Sequence, residues 1–253
     1  MRIAVLADVH ANRPALVSVL RDVDEHDTDA LVVAGDLVGY GPHPDACVAM
    51  LAERGAIGVA GNHDLRVLDR LPPAGFSPIA LRSLERTAAN LGADTRAFLD
   101  ALPLARTIAG LALAHGSPDD PQEYVTDPDR GRQILADLPR RAPDTWLQVL
   151  GHTHLPWLVT VAEAPGTLGT ALVNPGAVGQ SRLRERRPLA RYVVVDDVTR
   201  EIEFRAVAYD RRTTKVDLRR LGLPSSCVHC PPRRLRRLRR VARRGIDALT
   251  GIA

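Results

Sequence analysis

Short aliphatic runs separated by amphipathic stretches set the pattern of the first hundred residues. Ile3-Ala4-Val5-Leu6, Leu31-Val32-Val33 and Ile57-Gly58-Val59 are apolar without alternation, as strands buried on both faces are. Between the first two, Leu16, Val17 and Leu20 recur at helical spacing. Asn12 and Pro14 precede them as an N-cap and a first-turn proline. A second helix is expected over residues 44–53, with Val48, Met50 and Leu51 apolar. This β-α-β-α-β order predicts a parallel sheet with right-handed crossovers. Residues 64–102 read as helical, with Ser77-Pro78 as a start signal.

The texture then changes. Residues 104–115 predict a hairpin about Ala109-Gly110, and a helix follows near 128–138. Strands are expected at 146–150, 157–162, 169–173, 191–196 and 201–208, with turn residues between them. The whole predicts an α/β fold of two packed sheets with helices outside. No apolar run approaches the roughly 18 residues of a membrane span. One arginine and a short apolar stretch precede Asp8, which fits a first strand rather than a signal peptide.

Polar motifs stand at the ends of these apolar runs: Asp8-Val9-His10, Gly35-Asp36, Gly61-Asn62-His63-Asp64, Ala114-His115-Gly116 and Gly151-His152-Thr153-His154. They hold Asp8, Asp36, Asn62 and five of the chain's eight histidines. In an open α/β sheet, sites form at the C-terminal ends of the strands. Oxygen and imidazole donors without thiolates suit borderline or hard divalent metals. Two such ions about 3.5–4 Å apart are the usual machinery for hydrolysing phosphate esters.

Each motif suggests a role. Asp8 and His10 are two apart, so in extended backbone they share a side and could serve one ion. Asp36, in a glycine-rich loop, could bridge two ions, while Asn62 offers a neutral amide oxygen. His152 and His154 repeat the two-apart spacing and could serve one ion each, and His115 would complete the second ion's shell. His63 cannot easily face the same way as Asn62 and reads as the residue that meets substrate, with Asp64 orienting it.

In this order and spacing the motifs resemble those of the calcineurin-like metallophosphoesterases, over roughly residues 1–208. The Gly35-Asp36-Leu37-Val38-Gly39-Tyr40-Gly41-Pro42 loop and Asn174-Pro175-Gly176 resemble a small bacterial and archaeal phosphodiesterase-like branch. The resemblance implies a four-layer α/β/β/α sandwich of two mixed sheets. It implies one metal held by Asp8, His10, Asp36 and His154, and a second by Asp36, Asn62, His115 and His152. His63 would be the catalytic histidine, and a hydroxide bridging the metals would attack phosphorus in line. Manganese is the first expectation, with iron, nickel or zinc as alternatives. Many family members carry Gly-Asp-x-x-Asp, whereas here the last position is Gly39.

Charge adds a division. From residue 211 onward lie 13 of the 34 Lys+Arg but two of the 30 Asp+Glu. Residues 1–210 are therefore acidic, as a cation-holding body should be, and residues 211–253 form a basic extension. Within it, Leu235, Leu238, Val241, Ala242 and Leu249 recur at helical spacing among arginines. That pattern could bind anionic lipid or nucleic acid through residues 231–244, or remain solvated. Three cysteines make no disulfide framework, which suits a reduced cytoplasmic protein. Cys227-Val228-His229-Cys230 resembles half a zinc site without a second half.

Some residues read as neutral. His26 and His43 lack partners by pattern, and Tyr40 could stack on a substrate or pack. Arg182 could grip a phosphate bidentately, although Arg184, Arg186 and Arg187 beside it suggest a solvated loop. Aromatics are sparse at 4%, so no base-stacking surface is expected. The expected activity is a phosphodiesterase or phosphatase. A nuclease guided by the basic tail and a non-catalytic metal-binding scaffold are the competing readings. The scaffold is disfavoured because every ligand position and His63 are filled.

Overall fold

The computed structural model describes residues 1–164 and 167–230. In chain order the elements are β1 (Arg2–Leu6), α1 (Arg13–Asp24), β2 (Ala30–Ala34), α2 (Pro44–Glu53), β3 (Ile57–Val59), α3 (Asn62–Val67), α4 (Pro78–Asn90) and α5 (Ala93–Asp100). There follow β4 (Ala105–Ile108), β5 (Leu111–Ala114), α6 (Pro128–Arg141), β6 (Leu147–Val149), β7 (Trp157–Ala164) and β8 (Thr167–Asn174). The described chain ends with β9 (Ala190–Asp196), β10 (Glu201–Val207), α7 (Arg211–Arg220) and a 3-10 turn at Ser225–Cys227.

Two five-stranded mixed sheets form, in the orders β10-β9-β1-β2-β3 and β4-β5-β6-β8-β7. Strands β1, β2 and β3 are parallel, as their helical crossovers demand. The later strand β9 returns antiparallel to β1 and β10 pairs antiparallel with β9, extending the first sheet on its other side. Local pattern carries no information on which sheet they join.

Successive residues of one strand face different layers, which is why the aliphatic runs do not alternate. Ala4, Leu6, Leu31 and Val33 pack against Leu16, Leu20, Val48 and Leu51 of α1 and α2. Ile3, Val5 and Val32 turn the other way and meet Leu113, Val149 and Val173 of the second sheet. Ala112, Ala114 and Leu172 then receive Ile134, Leu135 and Leu138 of α6. The result is a helix–sheet–sheet–helix stack.

Two expectations need correction. Asn12 stands at the N-cap of α1 but its side chain does not cap the helix. Its amide donates to the Gly179 carbonyl (2.8 Å) and its Oδ1 accepts from the Thr214 hydroxyl (3.1 Å). His43 has a partner that pattern could not show, the Asp217 carboxylate at 3.3 Å, because the two meet only after α7 folds back.

The segment after residue 210 is packed where it is described. Leu218, Leu223, Cys227 and Val228 are buried against Tyr40 and Ala80. Cys227 is thus a core side chain, its thiol pushed up to about 12 by burial. Among the described residues no group capable of holding a metal includes either tail cysteine, and no helix is long and apolar enough to cross a membrane. The arginine-rich stretch expected to bind lipid or nucleic acid lies outside the described residues. Leu218→Ala is expected to cost about 2–5 kcal/mol, since it empties a fully buried site. Urea unfolding of wild type and variant checks this, and equal stability would mean that α7 is not anchored there.

Candidate metal centre

Parallel strands of both sheets end at one rim, and each end carries a ligand-type side chain. Asp8 and His10 follow β1, Asp36 follows β2 and Asn62 opens α3 just after β3. His115 follows β5, and His152 and His154 follow β6. All seven are at most 5% exposed.

The backbone here is not extended. Asp8, His10, Asp36, His152 and His154 lie at φ of 55°, 47°, 55°, 66° and 60°. This left-handed region is costly for non-glycine residues and persists only when the surroundings over-determine it. The Asp8 and His10 N–H groups donate to the carbonyls of Gly35 (3.1 Å) and Asp36 (2.9 Å). The turn after β1 is thereby locked to the turn after β2. Asp8 and His10 converge because of this clasp, not because an extended strand places them on one side.

Two groups of donors result. Asp8, His10, Asp36 and His154 offer ligand atoms within 4.8 Å of one another, and so do Asp36, His115 and His152. Asn62 joins the second group, its Oδ1 lying 3.1 Å from His115 Nε2. Asp36 is common to both: its Oδ2 is 3.6 Å from His10 Nε2 and 3.3 Å from His115 Nε2.

Carbonyls set the imidazole tautomers. Nδ1 of His10, His115 and His154 meets the carbonyls of Val38 (3.1 Å), Ala34 (2.7 Å) and Gln180 (2.6 Å). Each Nδ1 therefore carries a proton, which leaves Nε2 of His10 and His154 with free lone pairs and makes Nε2 of His115 the atom that can give up its proton to a cation. His10 Nε2 and His154 Nε2 point these lone pairs at one another from 3.1 Å. His152 is reversed: its Nε2 meets the Gln122 carbonyl at 3.1 Å, which leaves Nδ1 as the donor.

The donor set fits divalent cations on one further observation. Asp8 Oδ2 and Asp36 Oδ2 are buried without a hydrogen-bond partner, an expensive arrangement unless a cation satisfies them. Their other oxygens are used: Asp8 Oδ1 accepts from the His152 N–H (3.1 Å) and Asp36 Oδ1 from the His63 N–H (2.8 Å).

Titration behaviour follows. Burial lowers His10 and His154 well below the ordinary histidine value and His152 to about 3, so all three are neutral donors. Burial lifts Asp8 to about 7, with Asp36 adding to it. Burial also opposes charge on Asp36, but His115, His63 and His10 outweigh it and hold this carboxyl well down. His115 is raised to about 9: burial opposes its charge, and the Asp36 and Asp8 carboxylates prevail. In the metal-free chain, protons occupy places that cations would take.

His63 lines the rim of the same centre, its Nε2 4.0 Å from Asp36 Oδ2. Its ring packs against His10, Tyr40 and Phe76 at centroid distances of 4.7, 4.7 and 5.5 Å. Tyr40 is only 5% exposed, packed on these rings, yet it also lines the cavity beside the centre. Asp64 does not touch the His63 ring, contrary to expectation. Its oxygens accept the N–H groups of Leu37 (2.9 Å), Val38 (3.2 Å) and Gly61 (2.9 Å), so it shapes the loop that carries Asp36. Gly39 is explained by His63: a Cβ there would collide with His63 Nδ1, and the residue lies at φ 82°.

Beside the centre opens a cavity of about 920 Å³. Asp36, Asn62, His63 and His152 face it at one end, with Phe76, Ile79, Tyr124, Arg182, Ser226 and Cys230 among its further walls. Three of the chain's nine aromatic residues, Tyr40, Phe76 and Tyr124, line this one cavity, which composition alone could not show. Asn174 braces the second ligand loop by donating to the Gly151 carbonyl (2.6 Å) and the Thr153 hydroxyl (3.0 Å). The supporting carbonyls of Ala34, Val38, Gln122 and Gln180 left no sequence signal, since any residue supplies one.

Strand-end carboxylates and imidazoles around a shared aspartate define a metallohydrolase-type centre. Residues 1–193 match the family model of calcineurin-like phosphoesterases, and the chain belongs to that family. It is similar to the metallophosphoesterase of Sphaerobacter thermophilus: 33% identity, TM-score 0.74, over 90% of this chain and 97% of that one. The uncharacterized protein MJ0912 of Methanocaldococcus jannaschii is 30% identical over 230 residues, 82% of this chain and 88% of that protein. The hypothetical protein PH1004 of Pyrococcus horikoshii shares the fold, with TM-score 0.74 and 22% identity over 90% of this chain and 96% of that one. The chain is a metal-dependent phosphoester hydrolase.

Metal loading is expected to release protons, and affinity to fall as pH drops from about 9 toward 6, because cations must displace the protons on His115 and Asp8. Calorimetric titration in buffers of differing ionisation enthalpy measures the release. Affinity independent of pH over this range would contradict the assigned ligands.

Proposed function

We infer that the chain is a dinuclear phosphodiesterase, and that the placement of Asp36 Oδ2 between the two imidazole groups carries this reading. Asp8, His10, Asp36 and His154 hold one divalent ion; Asp36, Asn62, His115 and His152 hold the other. Such ions supply Lewis acidity at the phosphoryl oxygens and activate water near neutral pH. Nitrogen and oxygen donors without thiolate support manganese, with iron, nickel or zinc as alternatives.

The chain's own residues orient the reaction. Asp64 and the left-handed turns fix Asp36 in place, and the backbone carbonyls keep each imidazole in its coordinating tautomer. His63, lowered to about 4 by burial, is a neutral imidazole that donates an N–H to substrate oxygen and steadies charge in the transition state. The cavity extends well beyond the space a phosphate needs, which favours an ester with a substantial group on each side over a small monoester.

His63→Ala is expected to retain two ions per chain yet lose about 10²–10⁴-fold in kcat. Metal analysis and turnover of bis-p-nitrophenyl phosphate beside the monoester, with manganese, nickel, zinc or magnesium restored, check both points. Unchanged kinetics would remove His63 from the mechanism, and monoester turnover without diester turnover would make the protein a phosphatase.

A further inference from the structure

We propose that Arg182 binds the phosphoryl group undergoing hydrolysis, through the two N–H groups of its Nη2; the assignment rests on the hydrolase reading above. A guanidinium has five N–H donors. In Arg182, Nε donates to Gln180 Oε1 (3.2 Å), and Nη1 donates to the Tyr124 hydroxyl (3.2 Å) and the His152 carbonyl (3.3 Å). These three bonds consume Nε and Nη1 and leave Nη2 without a partner among the described residues.

All three partners are neutral. Arg130, Arg191 and Arg205, also partly buried, are each paired with a carboxylate: Glu123, Glu185 and Asp22. Arg182 has no such partner among the described residues, although it is tethered to the ligand loop itself at His152. Its guanidinium carbon lies 5.6 Å from the centre of the Tyr124 ring, and that ring is 4.1 Å from the ring of His152. A rigid, half-used cation is therefore built into the cavity wall that holds Asp36, Asn62 and His63.

The charge reaches both donor groups. The Nη1 bond to the His152 carbonyl and the place of Arg182 in the wall with Asp36, Asn62 and His63 set that charge beside the donors. An ester phosphate held at the centre brings non-bridging oxygens that carry its negative charge and that gain charge as the nucleophile arrives. The two N–H groups of Nη2 diverge, so each can meet a different oxygen while Nε and Nη1 hold the plane in place, whereas a lysine ammonium supplies only a point charge on a flexible stem.

The test compares manganese-loaded wild type, R182Q and R182K. Metal content is measured first, then the affinity for inorganic phosphate by calorimetry, which needs no turnover, and then kcat and KM for bis-p-nitrophenyl phosphate. Both variants are expected to keep two ions. Phosphate should bind R182Q about 10- to 100-fold more weakly, and R182K should remain at least about fivefold weaker than wild type. The loss in kcat/KM should track the loss in phosphate affinity. Wild-type phosphate affinity in R182Q would overturn the proposal, as would no phosphate binding by the two-ion wild type. Metal loss in step with activity would reduce Arg182 to a prop for the His152 loop and overturn it equally. A wild type that binds phosphate through Arg182 but cleaves neither ester would sink the hydrolase reading while supporting the phosphate contact.

Discussion

Two buried carboxylate oxygens without partners, Asp8 Oδ2 and Asp36 Oδ2, are the constraint on which the site depends. A buried anionic oxygen with nothing to meet it is far more expensive than an ordinary hydrogen bond is beneficial. His10, His152 and His154 face these two oxygens as neutral imidazoles, and His115 is the one imidazole that their charge keeps protonated, so a cation fits this cage in place of that proton. The left-handed turns, the clasp between the turns after β1 and β2, and the carbonyls on each Nδ1 all keep that cage from collapsing into internal hydrogen bonds. Stability and function are thus opposed at one point, and cations would reconcile them.

The layers follow from the same chemistry at larger scale. Each aliphatic run feeds two cores, one against helices and one between the sheets. The strands are therefore packed on both faces where they end, and the candidate donors stand on these packed ends. The segment from α7 to Cys230 extends the construction by burying Leu218, Leu223 and Cys227 against Tyr40. Tyr40 in turn packs on His10 and His63. A stretch that composition separates from the acidic body is, in its described part, a wall of the cavity.

The candidate metal donors were legible because carboxylate and imidazole side chains at strand ends are chemically conspicuous and the periodicity located those ends. The parallel order of β1, β2 and β3 was legible because helical crossovers leave few alternatives. Other features depend on contacts remote in sequence. The sheet joined by β9 and β10, the bond from Asn12 to Gly179 and the pairing of His43 with Asp217 exist only once distant segments meet. Asp64 misled because adjacency to His63 suggested contact, whereas α3 turns it toward the N–H groups of Leu37 and Val38. Arg182 misled in the opposite direction: neighbouring arginines suggested solvent, and its neutral partners Tyr124 and Gln180 became visible only in three dimensions.

The most direct measurement is anomalous diffraction from crystals of the manganese-loaded protein. Two ions about 3.5–4 Å apart are expected, with one carboxylate, that of Asp36, between them. His154 should reach the first ion through Nε2 and His152 the second through Nδ1. A single ion, or two ions that do not share Asp36, would contradict the dinuclear centre.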